Sequence, residues 1–136
     1  MIGKRRLEDR KVAQVLYIDD DAQNRLLVRR VLEVEGYIVL EAEDGPAGLE
    51  LAADRNPDLI LLDINLPGID GYEIASRLKE DERTRHIPVV AMTADVLRGA
   101  RERARHAGFD GYISKPIDVD LLPDQIGCFL RGREWE

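Results

Sequence analysis

Apolar positions recur along the chain in two rhythms that take turns. Val12 to Ile18 is a short apolar run closing on Asp19-Asp-Asp21. The residues after it switch to helical spacing, with Leu27, Val28, Val31 and Leu32 on one face and Arg25, Arg29 and Glu33 off it. Gly36 stops that helix, and Tyr37 to Ala42 reads as a second strand. Gly45 to Asp54 forms a second helix with Gly48, Leu49 and Ala52 facing inward, and Pro57 separates it from the next apolar run. That run, Leu59-Ile-Leu-Leu62, delivers Asp63 to its end and breaks into a loop at Pro67-Gly68. Such an unbroken apolar run, too short for a lone helix, predicts a strand buried on both faces, which belongs in a parallel sheet. Gly71, Ile74, Ala75 and Leu78 recur at i, i+3, i+4 and i+7, the spacing of a third helix laid against the sheet. Pro88 opens a fourth strand, Val89 to Thr93. Ala100, Ala104 and Ala107 stripe a short fourth helix ended by Gly108, and Asp110 to Ser114 gives a fifth strand. The last helix lies between Asp118 and Leu130. Pro123 and Gly127 fall within that span, so a late start or a kink is expected.

Five strand-helix units in a row predict an α/β fold with a five-stranded parallel sheet, right-handed crossovers and helices on both faces. In such sheets the strands' carboxyl ends border the crevice where ligands sit. Asp19 and Asp20 end the first strand, Asp63 the third and Thr93 the fourth, and Lys115 lies just past the fifth. Carboxylates crowd badly: two unit charges about 4 Å apart repel by roughly 4 kcal/mol at an effective dielectric of 20. A cation relieves this, and hard oxygen ligands without His or Cys suit Mg²⁺. With the Lys115 ammonium and the Thr93 hydroxyl, the set suits a charged tetrahedral group mounted on Asp63.

Composition narrows the classes. The 136 residues, 44% hydrophobic and 35% charged, suit one domain with an aliphatic core. No apolar run approaches the roughly 18 residues of a membrane span, and no secretory core follows Met1, so a cytoplasmic protein is expected. A net charge of −7 argues against non-specific nucleic-acid binding. Cys128, the single cysteine, excludes an internal disulfide and reads as a buried apolar residue; His86 and His106 read as surface residues. Residues 1–11 read as a poorly ordered extension and 132–136, with Trp135, as an unordered tail.

Four stretches together resemble the receiver domain of two-component response regulators: Val15-Leu-Tyr-Ile-Asp-Asp-Asp21, Leu61-Leu-Asp-Ile-Asn-Leu-Pro-Gly-Ile-Asp-Gly71, Met92-Thr-Ala94 and Tyr112-Ile-Ser-Lys-Pro116. The likeness runs from about Val12 to Leu130, giving a receiver domain at 12–131. It is this resemblance, not the periodicity, that implies the flavodoxin-like doubly wound fold with strand order 2-1-3-4-5. It further implies that Asp63 accepts a phosphoryl group from a phosphohistidine of a histidine kinase or a histidine phosphotransfer protein. Asp20, Asp63 and the backbone carbonyl of Asn65 would hold Mg²⁺, with Asp19 acting through water. Lys115 would pair with the phosphoryl oxygens, Thr93 would turn toward them, and Tyr112 would be the aromatic partner in the switch. The family also implies a cis peptide at Lys115-Pro116, and a donor-docking face that includes Asn24, Leu27, Pro116 and Ile117.

Rival readings fit less well. A phosphatase of the haloacid dehalogenase type wants a second acid two positions after its nucleophile, where this chain has Asn65. A P-loop would need glycines and a lysine after the first strand, where three aspartates stand. The resemblance thus implies a phosphoacceptor signalling domain, whose own chemistry is limited to taking up and slowly losing its phosphoryl group. The expected output is phosphorylation-dependent protein binding or onward phosphorelay, without an attached output domain, as a monomer or a weak phosphorylation-dependent dimer.

Overall fold

The computed structural model describes residues 12–94 and 99–132, so the N-terminal extension and Trp135 lie outside the described residues. The elements alternate as β1 (Gln14–Ile18), α1 (Ala22–Val34), β2 (Ile38–Ala42), α2 (Gly45–Arg55), β3 (Leu59–Asp63), α3 (Gly71–Glu80), β4 (Val89–Thr93), α4 (Ala100–His106), β5 (Gly111–Ser114) and α5 (Leu122–Leu130). All strand pairings are parallel and the order is β2-β1-β3-β4-β5, as the resemblance implied. The fold is the flavodoxin-like doubly wound sheet. Within it β1 starts at Gln14, past an exposed Val12, and β5 at Gly111.

The sheet has a core on each face because successive side chains of a strand point to opposite sides. Leu16, Ile18, Ile60, Leu62, Val89 and Ala91 pack with Ala52 of α2, Ile74, Ala75 and Leu78 of α3, and Ala104 of α4. Val15, Tyr17, Leu59, Leu61, Val90, Met92 and Ile113 pack instead with Val28 and Leu32 of α1 and with Leu122, Ile126 and Phe129 of α5. Every residue of β3 and β4 is buried, which is why those segments read as unbroken apolar runs. Burying a Leu, Ile or Val side chain is worth about 1.5–3 kcal/mol, so the central strands anchor the domain.

Short polar side chains start the first three helices. Asp21 accepts from the Gln23 and Asn24 amides, Asp44 from Ala47 and Asp70 from Glu73, each satisfying donors that the first helical turn leaves open. One expectation changes here and another is met. Leu27 is not on the inward stripe of α1: it lies about 100° around the helix from Val28 and is 38% exposed, beside the exposed Leu26. The last helix does start late, at Leu122, so that Pro123 occupies its first turn, where a missing N–H costs nothing; the helix continues through Gly127. His86 and His106 are exposed and Cys128 is buried.

Gly71 ties the fold to the end of β3. Its amide donates to the Ile64 carbonyl at 3.0 Å, and a methyl group on it would lie 2.6 Å from Ile64 Cα and 3.1 Å from the Asp63 carbonyl oxygen. Backbone cannot yield as a flexible side chain can. Gly71→Ala is therefore expected to lower unfolding free energy by about 1–3 kcal/mol in urea denaturation monitored by circular dichroism. A midpoint equal to that of the unsubstituted protein would show that the loop after Asp63 is not pinned this way.

Candidate functional site

Parallel register brings the acids together. Tyr17 pairs with Leu61 and Ile18 with Leu62, so the next residues of the two strands, Asp19 and Asp63, stand side by side. Strand alternation sets which face each residue shares: Val15, Tyr17 and Asp19 form one row, and Leu59, Leu61 and Asp63 form the next. In β5 the same row runs through Ile113 to Lys115. The triple aspartate divides its labour. Asp19 is fully buried, Asp20 is exposed, and Asp21 is the cap of α1.

Carboxylate oxygens of Asp19, Asp20 and Asp63 lie within 4.8 Å of one another. The Lys115 ammonium reaches across two of them, 2.9 Å from Asp63 Oδ2 and 3.4 Å from Asp19 Oδ2. Asp63 Oδ1 accepts from the Asn65 amide at 3.0 Å, which fixes the carboxylate against its own loop. Burial works against the ammonium of Lys115, but the hydrogen bond and charge of Asp63, joined by Asp19, more than offset it and hold its pKa above the ordinary lysine value. For Asp19, burial again opposes the charge. Donors from Tyr17, the Asp21 amide, Lys115 and Asn24 nevertheless hold its carboxyl below the usual range. One ammonium does not balance three carboxylates, and this cluster of hard oxygen donors could hold a metal ion.

The remaining expected residues fall in three places. Thr93, buried at the end of β4, continues the row Val89-Ala91 on the opposite face of the sheet. Half-buried Tyr112 packs against that same core, with the Arg101 guanidinium 5.3 Å from its ring centre. Thr93 and Tyr112 thus sit on the α4 side, away from the row that carries Asp19, Asp63 and Lys115. Asn24 belongs to the acidic site itself, its Nδ2 donating to Asp19 Oδ2 at 3.3 Å. Leu27 and Pro116 are exposed, Ile117 is half-buried against the α1–α5 core, and the Lys115-Pro116 peptide is cis.

Two site residues escaped the sequence reading. Tyr17 is fully buried in the apolar core and its hydroxyl donates to Asp19 Oδ2 at 2.5 Å. Arg25, placed off the apolar stripe of α1, turns back over the loop: its Nη1 donates to the Asp19 carbonyl at 2.6 Å and its Nε to Glu41 Oε1 at 3.2 Å. The one hint in the sequence was Glu41, an acid within the second strand.

The model of the response regulator receiver domain family matches residues 15–127. The chain belongs to that family. Among relatives of this receiver domain, the polar-differentiation response regulator DivK of Brucella ovis is 42% identical over 116 residues, covering 85% of this chain and 94% of that protein. The DivK of Brucella anthropi is 41% identical over the same share. Chemotaxis response regulator CheY4 of Vibrio cholerae superposes with a TM-score of 0.81 at 26% identity, over 86% of this chain and 98% of that one. A sensor histidine kinase's receiver domain from Pseudomonas aeruginosa, described with a magnesium ion coordinated in its active-site cleft, gives 0.80 at 29% identity, over 89% and 99%. The chain is therefore a single receiver unit of the DivK and CheY type, in a signalling family served by phosphodonor kinases or phosphotransfer proteins. Among the described residues no helix is long and apolar enough to cross a membrane.

The charge balance predicts a pH signature in metal-free buffer. A raised lysine pKa contributes stability that is complete below the unfolded value of about 10.4 and is lost as pH climbs through the folded one. The lowered Asp19 pKa contributes stability present above the unfolded value of about 3.9 and lost as pH falls through the folded one. Lys115→Met should therefore flatten the alkaline fall in urea midpoint relative to the unsubstituted domain. An alkaline limb equally steep in both proteins would contradict the Lys115 pairing.

Proposed function

We propose that Asp63 is the phosphoacceptor of this receiver domain and that the group it accepts comes from a phosphohistidine on a histidine kinase or histidine phosphotransfer protein. The observation that carries the reading is the Asp63 carboxylate itself. It is buried at the end of β3, bonded to the Lys115 ammonium at 2.9 Å and within 4.8 Å of two further carboxylates. In the transfer an Asp63 oxygen forms a bond to phosphorus as the phosphorus–nitrogen bond of the phosphohistidine breaks, and the leaving imidazole nitrogen keeps the electron pair. Little covalent help is needed; alignment and charge neutralisation do most of the work.

Asp20, Asp63 and the carbonyl of Asn65 would hold Mg²⁺ directly, with Asp19 reaching it through water. An all-oxygen donor set supports that choice of metal. When bound, the ion neutralises the phosphoryl oxygens and relieves the repulsion among the carboxylates. Lys115, on its mobile stem, tracks the phosphoryl oxygens once they arrive. Thr93 then supplies a hydroxyl from β4, and Tyr112 responds on the same sheet face, which carries the change toward α4. Asn24, Leu27, Pro116 and Ile117 form the face that meets the donor, and exposed Leu26 beside Leu27 adds apolar area to it.

Output then runs through protein binding or through onward transfer of the phosphoryl group, in the cytoplasm where kinase domains expose phosphohistidine. The domain spans 12–131, and its own chemistry is limited to taking up the phosphoryl group and slowly losing it to water. It acts as a monomer or as a weak dimer formed on phosphorylation.

Acetyl phosphate with Mg²⁺, read by intact mass, tests this directly. The unsubstituted chain should gain one phosphoryl group and Asp63→Asn none, while both melt cooperatively. Equal phosphorylation of the two proteins would sink the assignment of Asp63.

A further inference from the structure

Tyr17 is a large phenol in a strand position flanked by Leu16 and Ile18, buried completely in the core beneath the acidic cluster. A buried hydroxyl needs a partner, and this one reaches up its own strand row to Asp19 Oδ2 at 2.5 Å. The phenol thereby joins two other donors on one oxygen of Asp19. Its Oδ1 accepts from the Asp21 amide at 2.9 Å, and its Oδ2 takes the Tyr17 hydroxyl, Asn24 Nδ2 at 3.3 Å and Lys115 Nζ at 3.4 Å. Each carboxylate oxygen offers about two lone-pair directions, so three donors compete for Oδ2 while Oδ1 keeps one direction open.

We propose that Tyr17 is a positioning residue for phosphoryl acceptance: its hydroxyl occupies Asp19 and so leaves Lys115 to Asp63. The distances carry the argument. Lys115 stands closer to Asp63, at 2.9 Å, than to Asp19, and the closest donor on Asp19 is the phenol. Remove that oxygen and a buried carboxylate loses its best partner. The nearest replacement is an ammonium on a flexible four-carbon stem, which can swing toward it. Lys115 then neutralises Asp19 at the expense of Asp63. Two consequences of opposite sign result. An Asp63 carboxylate released from its ammonium binds a divalent cation more readily, whereas a phosphoryl group arriving on Asp63 finds Lys115 turned away.

The inference rests on Asp63 being the phosphoacceptor, and the test separates the two. Tyr17→Phe keeps the ring and removes only the oxygen. Calorimetric titration with Mg²⁺ alone should give a dissociation constant several-fold lower than that of the unsubstituted chain, while phosphorylation by acetyl phosphate at saturating Mg²⁺ slows about tenfold. In a Lys115→Met background, the same Tyr17→Phe change should leave the residual rate within about twofold, because the group through which Tyr17 acts is gone. A structural role alone would weaken Mg²⁺ binding and transfer together, and that outcome overturns the proposal. So does a rate loss in Tyr17→Phe that persists undiminished without Lys115. Should Tyr17→Phe fail to fold, proton spectra of the unsubstituted chain decide: a slowly exchanging Tyr17 hydroxyl proton is expected, and a freely exchanging one overturns the proposal. Failure of the acceptor reading itself looks different, since the unsubstituted chain would then gain no phosphoryl group on Asp63.

Discussion

The ammonium of Lys115, held between Asp63 and Asp19 beneath the exposed Asp20, is the interaction on which the rest of the site depends. At an effective dielectric of 20, each close pair of like charges costs roughly 4 kcal/mol, a large share of the roughly 5–15 kcal/mol by which a domain of this size is stable. Lys115 offsets part of that cost, and the three carboxylates that remain together could hold a metal ion. A site left short of positive charge is one that a phosphoryl group with its metal can complete.

Parallel strands make that arrangement possible with few residues. Because side chains alternate, the rows ending in Asp19, Asp63 and Lys115 share one face of the sheet, and the row ending in Thr93 shares the other with Tyr112. The proposed chemistry and the proposed response are thus separated by the thickness of one sheet and joined at the end of β4. The residues proposed to dock the donor lie on and next to α1, while Arg101 of α4 lies over Tyr112. Loops do the rest. Gly71 lets the backbone after Asp63 close on itself, and Arg25 clamps the β1–α1 loop to Glu41 of β2.

Much of this was legible in the sequence, for physical reasons that differ between elements. Leu59 to Leu62 and Val89 to Met92 read as strands because strands covered on both faces have no polar positions to confuse the pattern. Asp63, Thr93 and Lys115 stood out through their joint placement at strand ends, although none alone says much. Leu27 was misplaced because helical spacing does not give the width of a buried stripe, and only the packing of α1 shows that it ends short of Leu27. Tyr17 was hidden by its own ring: in a strand, an aromatic residue looks like core, and nothing in the spelling marks a hydroxyl aimed at an acid two positions on. Arg25 was read only as lying off the apolar face of α1, because its partners are a loop carbonyl and an acid on a different strand.

The central claim is that the reacting atom is an Asp63 carboxylate oxygen. Borohydride reduces an aspartyl phosphate to homoserine, so phosphorylation in Mg²⁺, then reduction and peptide mass spectrometry, locates the acceptor without altering the chain. The account predicts homoserine at position 63 and unmodified aspartate at 19, 20 and 21. Homoserine at another of these aspartates, or none after stoichiometric phosphorylation, would contradict it.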